Sequence, residues 1–155
     1  MTLSRRLFLK ALGSSALAAS LAGCKTTQTG WFNPATSMDA AELSSATATA
    51  IADDIVAPLS QHLDVGTSTI ALRLDPSEFG LALDKSLRGR GYAVIKADQE
   101  VVDGAAIPLA YTIQSDAAQI FVRITTPTVE LSRTYQTTMT GAASLSPISI
   151  LTRST

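Results

Sequence analysis

The chain has 155 residues, 46% of them hydrophobic and 5% aromatic, with one histidine and one cysteine. That length supports a single domain with a real core. One cysteine excludes an intrachain disulfide, and one histidine beside it excludes histidine–cysteine zinc clusters and multi-histidine metal sites. Lysine and arginine number 12 against 13 aspartate and glutamate, and the charges are dispersed without a basic stripe, which argues against direct nucleic-acid binding.

Arg5, Arg6 and Lys10 precede an apolar stretch from Ala11 to Ala22, the layout of an export signal over residues 1–23. The apolar run is short of the ~20 residues that span a bilayer. Ser4-Arg5-Arg6-Leu7-Phe8-Leu9-Lys10 resembles the twin-arginine export motif S-R-R-x-F-L-K, with an ordinary secretory n-region as the other reading. Leu21-Ala22-Gly23-Cys24 then matches the lipobox of bacterial lipoproteins. The resemblance implies cleavage before Cys24 and covalent diacylglycerol plus an N-acyl chain on its sulfur and amine. Such chains contribute ~0.8 kcal/mol per buried CH₂, so Cys24 is the candidate lipid-attachment residue, and no other cofactor is expected. Removing residues 1–23 leaves 9 basic against 13 acidic residues, a net charge of −4. Lys25 follows the cysteine, where inner-membrane lipoproteins of enteric bacteria carry Asp. By that analogy the protein sits in the outer membrane facing the periplasm, the inner membrane remaining open.

Residues 24–38 read as a lipid-anchored tether, polar and without helical or strand period. Trp31 and Phe32 interrupt it. They either rest on the core or the lipid headgroups, or form a short anchor that docks on a partner, where aromatic residues make good hot spots. A globular α/β domain is expected over 39–141, led by a helix over 39–63. Asp39 would cap that helix with Glu42 completing a capping box, and Leu43, Ala46, Ala50, Ile51, Ile55, Leu59 and Leu63 form its stripe. Pro58 should kink or end it near Ala57.

Thr67 to Leu74 alternates as a half-buried strand. A second helix follows, capped by Asp75 with Pro76 in its first turn and Glu78 completing the box. Phe79, Ala82, Leu83, Ser86 and Leu87 make its buried face, and Gly89 and Gly91 stop it. Tyr92 to Ala97 is a short strand, Leu109 to Gln114 another, and Gln119 to Thr126 returns from the turn at Ser115–Ala118. Pro127 breaks the run. Val129 to Thr140 is a last, Thr-rich strand that suits a sheet edge or a sheet with one wet face. Residues 142–155 form a C-terminal tail that either packs back on the sheet or orders on a partner.

The sequence holds no catalytic constellation. His62 lies near a helix end, where a dipole-satisfied or exposed imidazole accounts for it. Asp53 and Asp54 point about 100° apart on a helix and do not share a site; a solvated face is the better account. Arg88-Gly89-Arg90-Gly91 follows a helix rather than opening one, so it is a C-cap and not a phosphate cradle. What remains is the sheet, whose edge could accept another chain's strand, with Arg123, Glu130 and Arg133 as possible guards of that edge.

The lipobox, Val56-Ala57-Pro58-Leu59, and the stretch from Asp75-Pro76-Ser77-Glu78-Phe79-Gly80 through Leu87 to Gly91-Tyr92-Ala93-Val94 together resemble the conjugal transfer protein TrbH family. Length and order of elements agree with it. The resemblance implies a small lipoprotein of a conjugative type IV secretion (mating-pair formation) system. It would be non-enzymatic and bound to membrane lipid through Cys24, in a hetero-oligomeric assembly with other channel subunits of the outer-membrane ring. Larger lipoproteins of that class carry a domain similar to the amino-terminal domain of secretins, which the order of elements from Thr67 to Thr126 would fit. The expected fold is α+β: a two-layer α/β sandwich with a mainly antiparallel sheet, preceded by a helix and a flexible lipidated tether. The rival reading is an accessory lipoprotein holding a lipid or apolar ligand between helix and sheet.

Overall fold

The computed structural model describes residues 37–97 and 106–154. The export signal, the lipobox with Cys24, and Trp31 and Phe32 lie outside the described residues. In chain order the elements are β1 (Met38–Asp39), α1 (Ser45–Val56) with a 3₁₀ turn over Ala57–Gln61, β2 (Thr69–Leu72), α2 (Glu78–Gly89), β3 (Ala93–Lys96), β4 (Ala106–Asp116), β5 (Gln119–Thr125), β6 (Val129–Thr138), β7 (Gly141–Ser144) and β8 (Ser149–Thr152). The fold is α+β, with two helices against one large open sheet.

The sheet runs in the order β3-β2-β4-β5-β6-β7, with β1 added to β4 and β8 added to β6. Four of its seven pairings are antiparallel, and β1–β4, β2–β3 and β2–β4 are parallel. The parallel part comes from β2-α2-β3, since a parallel neighbour needs a crossover long enough to hold a helix. Lying between β3 and β4, β2 buries Ile70, Ala71 and Leu72 in succession, not only every second residue as the alternation predicts. A strand inside the sheet is covered from more sides than an edge strand.

β5 keeps the period of two that its sequence announces. Ile120, Val122 and Ile124 are buried, while Gln119, Phe121 and Arg123 are exposed. The buried set joins Leu109, Tyr111 and Ile113 of β4, Leu131 and Tyr135 of β6, Ile51 and Ile55 of α1, and Phe79, Leu83 and Leu87 of α2 in one core. These side chains fill the space between helices and sheet.

Both helices start later than their expected caps. Asp39 belongs to β1, pairing with Ile113, and its Oδ1 accepts from the Ala41 amide at 2.9 Å. Ser44 caps α1 instead, accepting from Thr47 N at 3.2 Å. The leading helix over 39–63 is therefore a shorter helix, Ser45–Val56, that gives way to the 3₁₀ turn where Pro58 removes a donor. Ser77, not Asp75, caps α2, its Oγ accepting from Gly80 N at 3.1 Å. Gly91, at φ +95°, supplies the left-handed exit after α2, whereas Gly89 is the helix's last residue.

The first turn of α2 is built around Gly80. A Cβ there would collide with the Asp75 carbonyl oxygen and come within 2.6 Å of Tyr111 Oη. Tyr111 is buried, accepts from the Asp75 amide at 3.3 Å and packs edge-on against Phe79 with ring centres 5.1 Å apart. The stretch Asp75-Pro76-Ser77-Glu78-Phe79-Gly80 is thus a seat that locks the helix start onto β4. Substitution Gly80→Ala is expected to cost about 1–3 kcal/mol, because both obstacles are backbone or packed aromatic and cannot swing away. A urea titration checks this: the midpoint should fall with the slope unchanged, and an unchanged midpoint would contradict the seat.

Candidate functional site

The described residues contain no group of three histidine, cysteine, aspartate or glutamate side chains able to hold a metal ion. His62 is exposed at the end of the 3₁₀ turn. Asp53 is exposed on α1, and its carbonyl accepts from Arg90 at 3.1 Å. The arginine–glycine run closes α2 as expected of a C-cap. Arg88 pairs with Asp84 at 3.0 Å and also reaches Val94 O at 2.8 Å.

Asp54 does more than solvate a helix face. Its Oδ2 accepts from Tyr135 Oη and from Arg133 Nη1, each at 2.8 Å. Arg133 Nε also donates to Ser146 O at 2.7 Å, and the Arg133 guanidinium lies 6.0 Å from the Tyr135 ring centre. This cluster bolts α1 to β6 and to the segment between β7 and β8. Arg133 therefore guards no edge. Glu130 likewise is committed, to Arg153 at 2.8 Å, and Arg123 projects from a strand paired on both sides.

Burial raises the pKa of three tyrosine hydroxyls above their ordinary value of 10. For Tyr135 burial acts first, with the hydrogen bond to Asp54 and its negative charge adding to the shift. Tyr111 is raised mainly by desolvation. So is Tyr92, whose hydroxyl donates to Leu63 O at 3.0 Å.

Among the described residues, the surfaces available for contact are the face of the sheet away from α1 and α2, and the sheet edges. The open face carries Gln114 of β4 and Gln119 and Phe121 of β5. With Ala40, Ser115, Asp116 and Thr134 they line an open depression of about 420 Å³. A second depression of about 460 Å³ lies at the start of β4, bordered by His62, Asp64 and Pro127 among others.

The two outer strands differ in kind. Ala97 N donates to Leu72 O, so alternate residues of β3 turn toward β2 and Val94 turns outward, where the cationic Arg88 side chain takes its carbonyl. Against the other end of the sheet the Thr-rich β6 is not an edge at all. β7 pairs with Tyr135–Thr138 and β8 with Val129–Ser132, so residues 141–152 pack back on the sheet as an outer strand interrupted at Ser146-Pro147, the first of the two readings of the C-terminal tail. Leu145, Ile150 and Leu151 on it are 45%, 41% and 49% exposed.

Sequence reasoning left open whether residues 142–155 pack back on the sheet, which the pairing with β6 decides, and it missed the Asp54 cluster. The signal for the strand is present: no Asp, Glu, Lys or Arg occurs from Thr134 to Thr152, an uncharged run with Pro147 where a ladder must break. Nothing in the local pattern points from Asp54 to partners about 80 residues away.

No helix among the described residues is long and apolar enough to cross a membrane. The family model of the conjugal transfer protein TrbH matches residues 27–154. A curated relative, "Probable conjugal transfer protein TrbH" of Sinorhizobium fredii (strain NBRC 101917 / NGR234), is 34% identical over 148 residues, covering 93% of this chain and 98% of the relative. No solved structure matches the chain, so the expected likeness to a secretin domain gains no support from that comparison.

The tyrosine shifts carry a pH dependence with a definite sign. A hydroxyl whose folded pKa exceeds 10 keeps its proton longer folded than unfolded, so its contribution is fully present below pH 10 and is lost as pH rises further. Unfolding midpoints measured between pH 9 and pH 11 (about one unit either side of the unfolded value) should fall on the alkaline side. Tyr135→Phe should make that fall shallower, and an identical slope in the variant would remove Tyr135 from the account.

Proposed function

The chain belongs to the conjugal transfer protein TrbH family, and from that membership we propose that it is a lipid-anchored structural subunit of a conjugative type IV secretion apparatus. On this reading it supports plasmid transfer by helping to assemble the envelope-spanning channel. The observation that carries the proposal is the match over residues 27–154, which takes in both helices and the whole described sheet.

The anchor is Cys24, with diacylglycerol and an N-acyl chain held in the membrane, and residues 24–38 are the tether, on which Trp31 and Phe32 dock to a partner. The domain faces the periplasm from the outer membrane and contacts other channel subunits, not DNA. Its role on this reading is non-catalytic, in keeping with the family. The rival reading, a carrier of a lipid or apolar ligand, needs room between helices and sheet, and Ile51, Ile55, Phe79, Leu83 and Leu109 occupy that room without exposure.

The test is a membrane experiment. Wild-type protein should fractionate with the outer membrane, carry the mass of three acyl chains on its processed amino terminus, and copurify from mild detergent with ring-forming secretion subunits. Cys24→Ser should leave the folded domain intact, release it from the membrane and lower plasmid transfer by at least about tenfold, as loss of an anchor of several chains implies. Trp31→Ala with Phe32→Ala should keep the lipid and lose the copurifying subunits. An unmodified thiol on a soluble product, or a lone monomer with bound lipid, would sink the proposal.

A further inference from the structure

The geometry points to a contact between two copies of this chain, made by antiparallel pairing of β8 with β8 across a two-fold axis at Leu151. This contact goes beyond the proposed channel role and does not depend on the lipid anchor.

The argument starts from the contrast between the two ends of the sheet. Natural edges are usually protected by charge, brevity or bulges. At β3 the outward carbonyl of Val94 is held by Arg88, and Lys96 adds a second cation to the strand. β8 has four residues, as few as β3, and follows the break at Pro147, but charge is lacking: Ser149-Ile150-Leu151-Thr152 is exposed along its length and belongs to the run from Thr134 to Thr152 with no charged residue. The backbone polarity is legible from the ladder. Arg153 N donates to Thr128 O at 2.8 Å, so residues 149, 151 and 153 turn to β6, and Ile150 and Thr152 turn their amides and carbonyls outward.

That pattern is self-complementary. An axis through Leu151 sets Ile150 opposite Thr152 of the second copy and Thr152 opposite its Ile150, two hydrogen-bonded pairs exchanging four bonds. Leu151 then faces Leu151 of the second copy as the intervening non-hydrogen-bonded pair, where Cα atoms approach to ~4.5 Å and side chains are in closest contact. Leu151 shares a face with Glu130, so the leucines meet on the open side of the sheet.

The register also satisfies charge. Arg153, two residues from the axis, is separated from its counterpart by four residue steps, ~14 Å at strand rise, beyond a Debye length of ~8 Å. Arg153 is moreover neutralised by Glu130 at 2.8 Å. A second copy satisfies this edge, because the four outward groups pair with one another and each Arg153 lies opposite Ser149, with no like charges opposed. The contact is small, below the ~1,000 Å² of a tight interface, so it should form in the micromolar to millimolar range.

Purified full chain carrying Cys24→Ser, so that no other thiol is present, provides the test. With Leu151→Cys added, mild oxidation should give a covalent dimer at least about tenfold faster than with Phe121→Cys, because only the first sits on the axis at disulfide distance. In sedimentation the Leu151 form should self-associate, and Leu151→Arg should weaken association by at least about tenfold, like charges being directly opposed. Leu151 is half exposed, so the melting temperature should be unchanged. If Leu151→Arg does unfold the protein, the cross-linking comparison decides. Equal rates at positions 121 and 151, or a monomer up to ~1 mM, would overturn the proposal.

Discussion

One strand has to serve two kinds of sheet. β4 takes β2 and β1 in parallel along one edge and β5 antiparallel along the other, and everything else is placed by how those edges are shared. Ala106–Leu109 are spent on β2, Ala110–Asp116 on β5, and Thr112 and Ile113 are paired on both sides. Because buried backbone groups must be paired, β4 fixes where the crossover unit ends and where the meander begins. Tyr111 sits at the join. Its ring packs in the core, its hydroxyl receives the start of α2, and its amide donates to Ser37 Oγ at 3.3 Å.

Around that strand the polar groups are arranged as fasteners. Tyr111 holds the start of α2, Tyr92 ties the strand after α2 to Leu63, and Tyr135 reaches Asp54 on α1. Each tyrosine buries a ring and uses its hydroxyl to satisfy one polar group on a distant segment, the combination that makes a buried tyrosine favourable. Thr126 does a similar job on a smaller scale. It accepts from Val129 N at 3.0 Å and donates to Val129 O at 2.9 Å, closing the turn around Pro127. The residues that carry the family resemblance, Asp75 to Gly80, belong to this class. They fix a helix against a sheet and do not form a reaction centre.

Features that depend on near neighbours are legible in the sequence. β5 can be drawn from Ile120, Val122 and Ile124, and the end of α1 from Pro58, because period and a missing donor act within a few residues. Caps are legible in kind and misplaced in position. Asp39 and Asp75 each stand in a valid box, yet Ser44 and Ser77 are nearer the residues that packing requires to be helical, and packing decides. Parallel pairing is hidden because β2 and β3 are both short and their register is set by the helix between them. β7 and β8 are hidden because Leu145, Ile148 and Ile150 show no clean alternation across the break at Pro147. Trp31 and Phe32, expected from the sequence to dock on a partner, lie outside the described residues, so the candidate surface rests on the sheet alone.

The chain enters this domain by an unusual door. Ser37, Met38 and Asp39 join the middle of the sheet, where β1 holds β4 by a two-residue parallel pairing and Ala40 N adds a bond to Ile113 O at 3.0 Å. Any pull from upstream of Ser37 therefore loads that brief pairing before it reaches the long β4–β5 and β5–β6 ladders. A load applied at Ser37 thus falls first on two paired residues, which can part while the longer ladders stay intact.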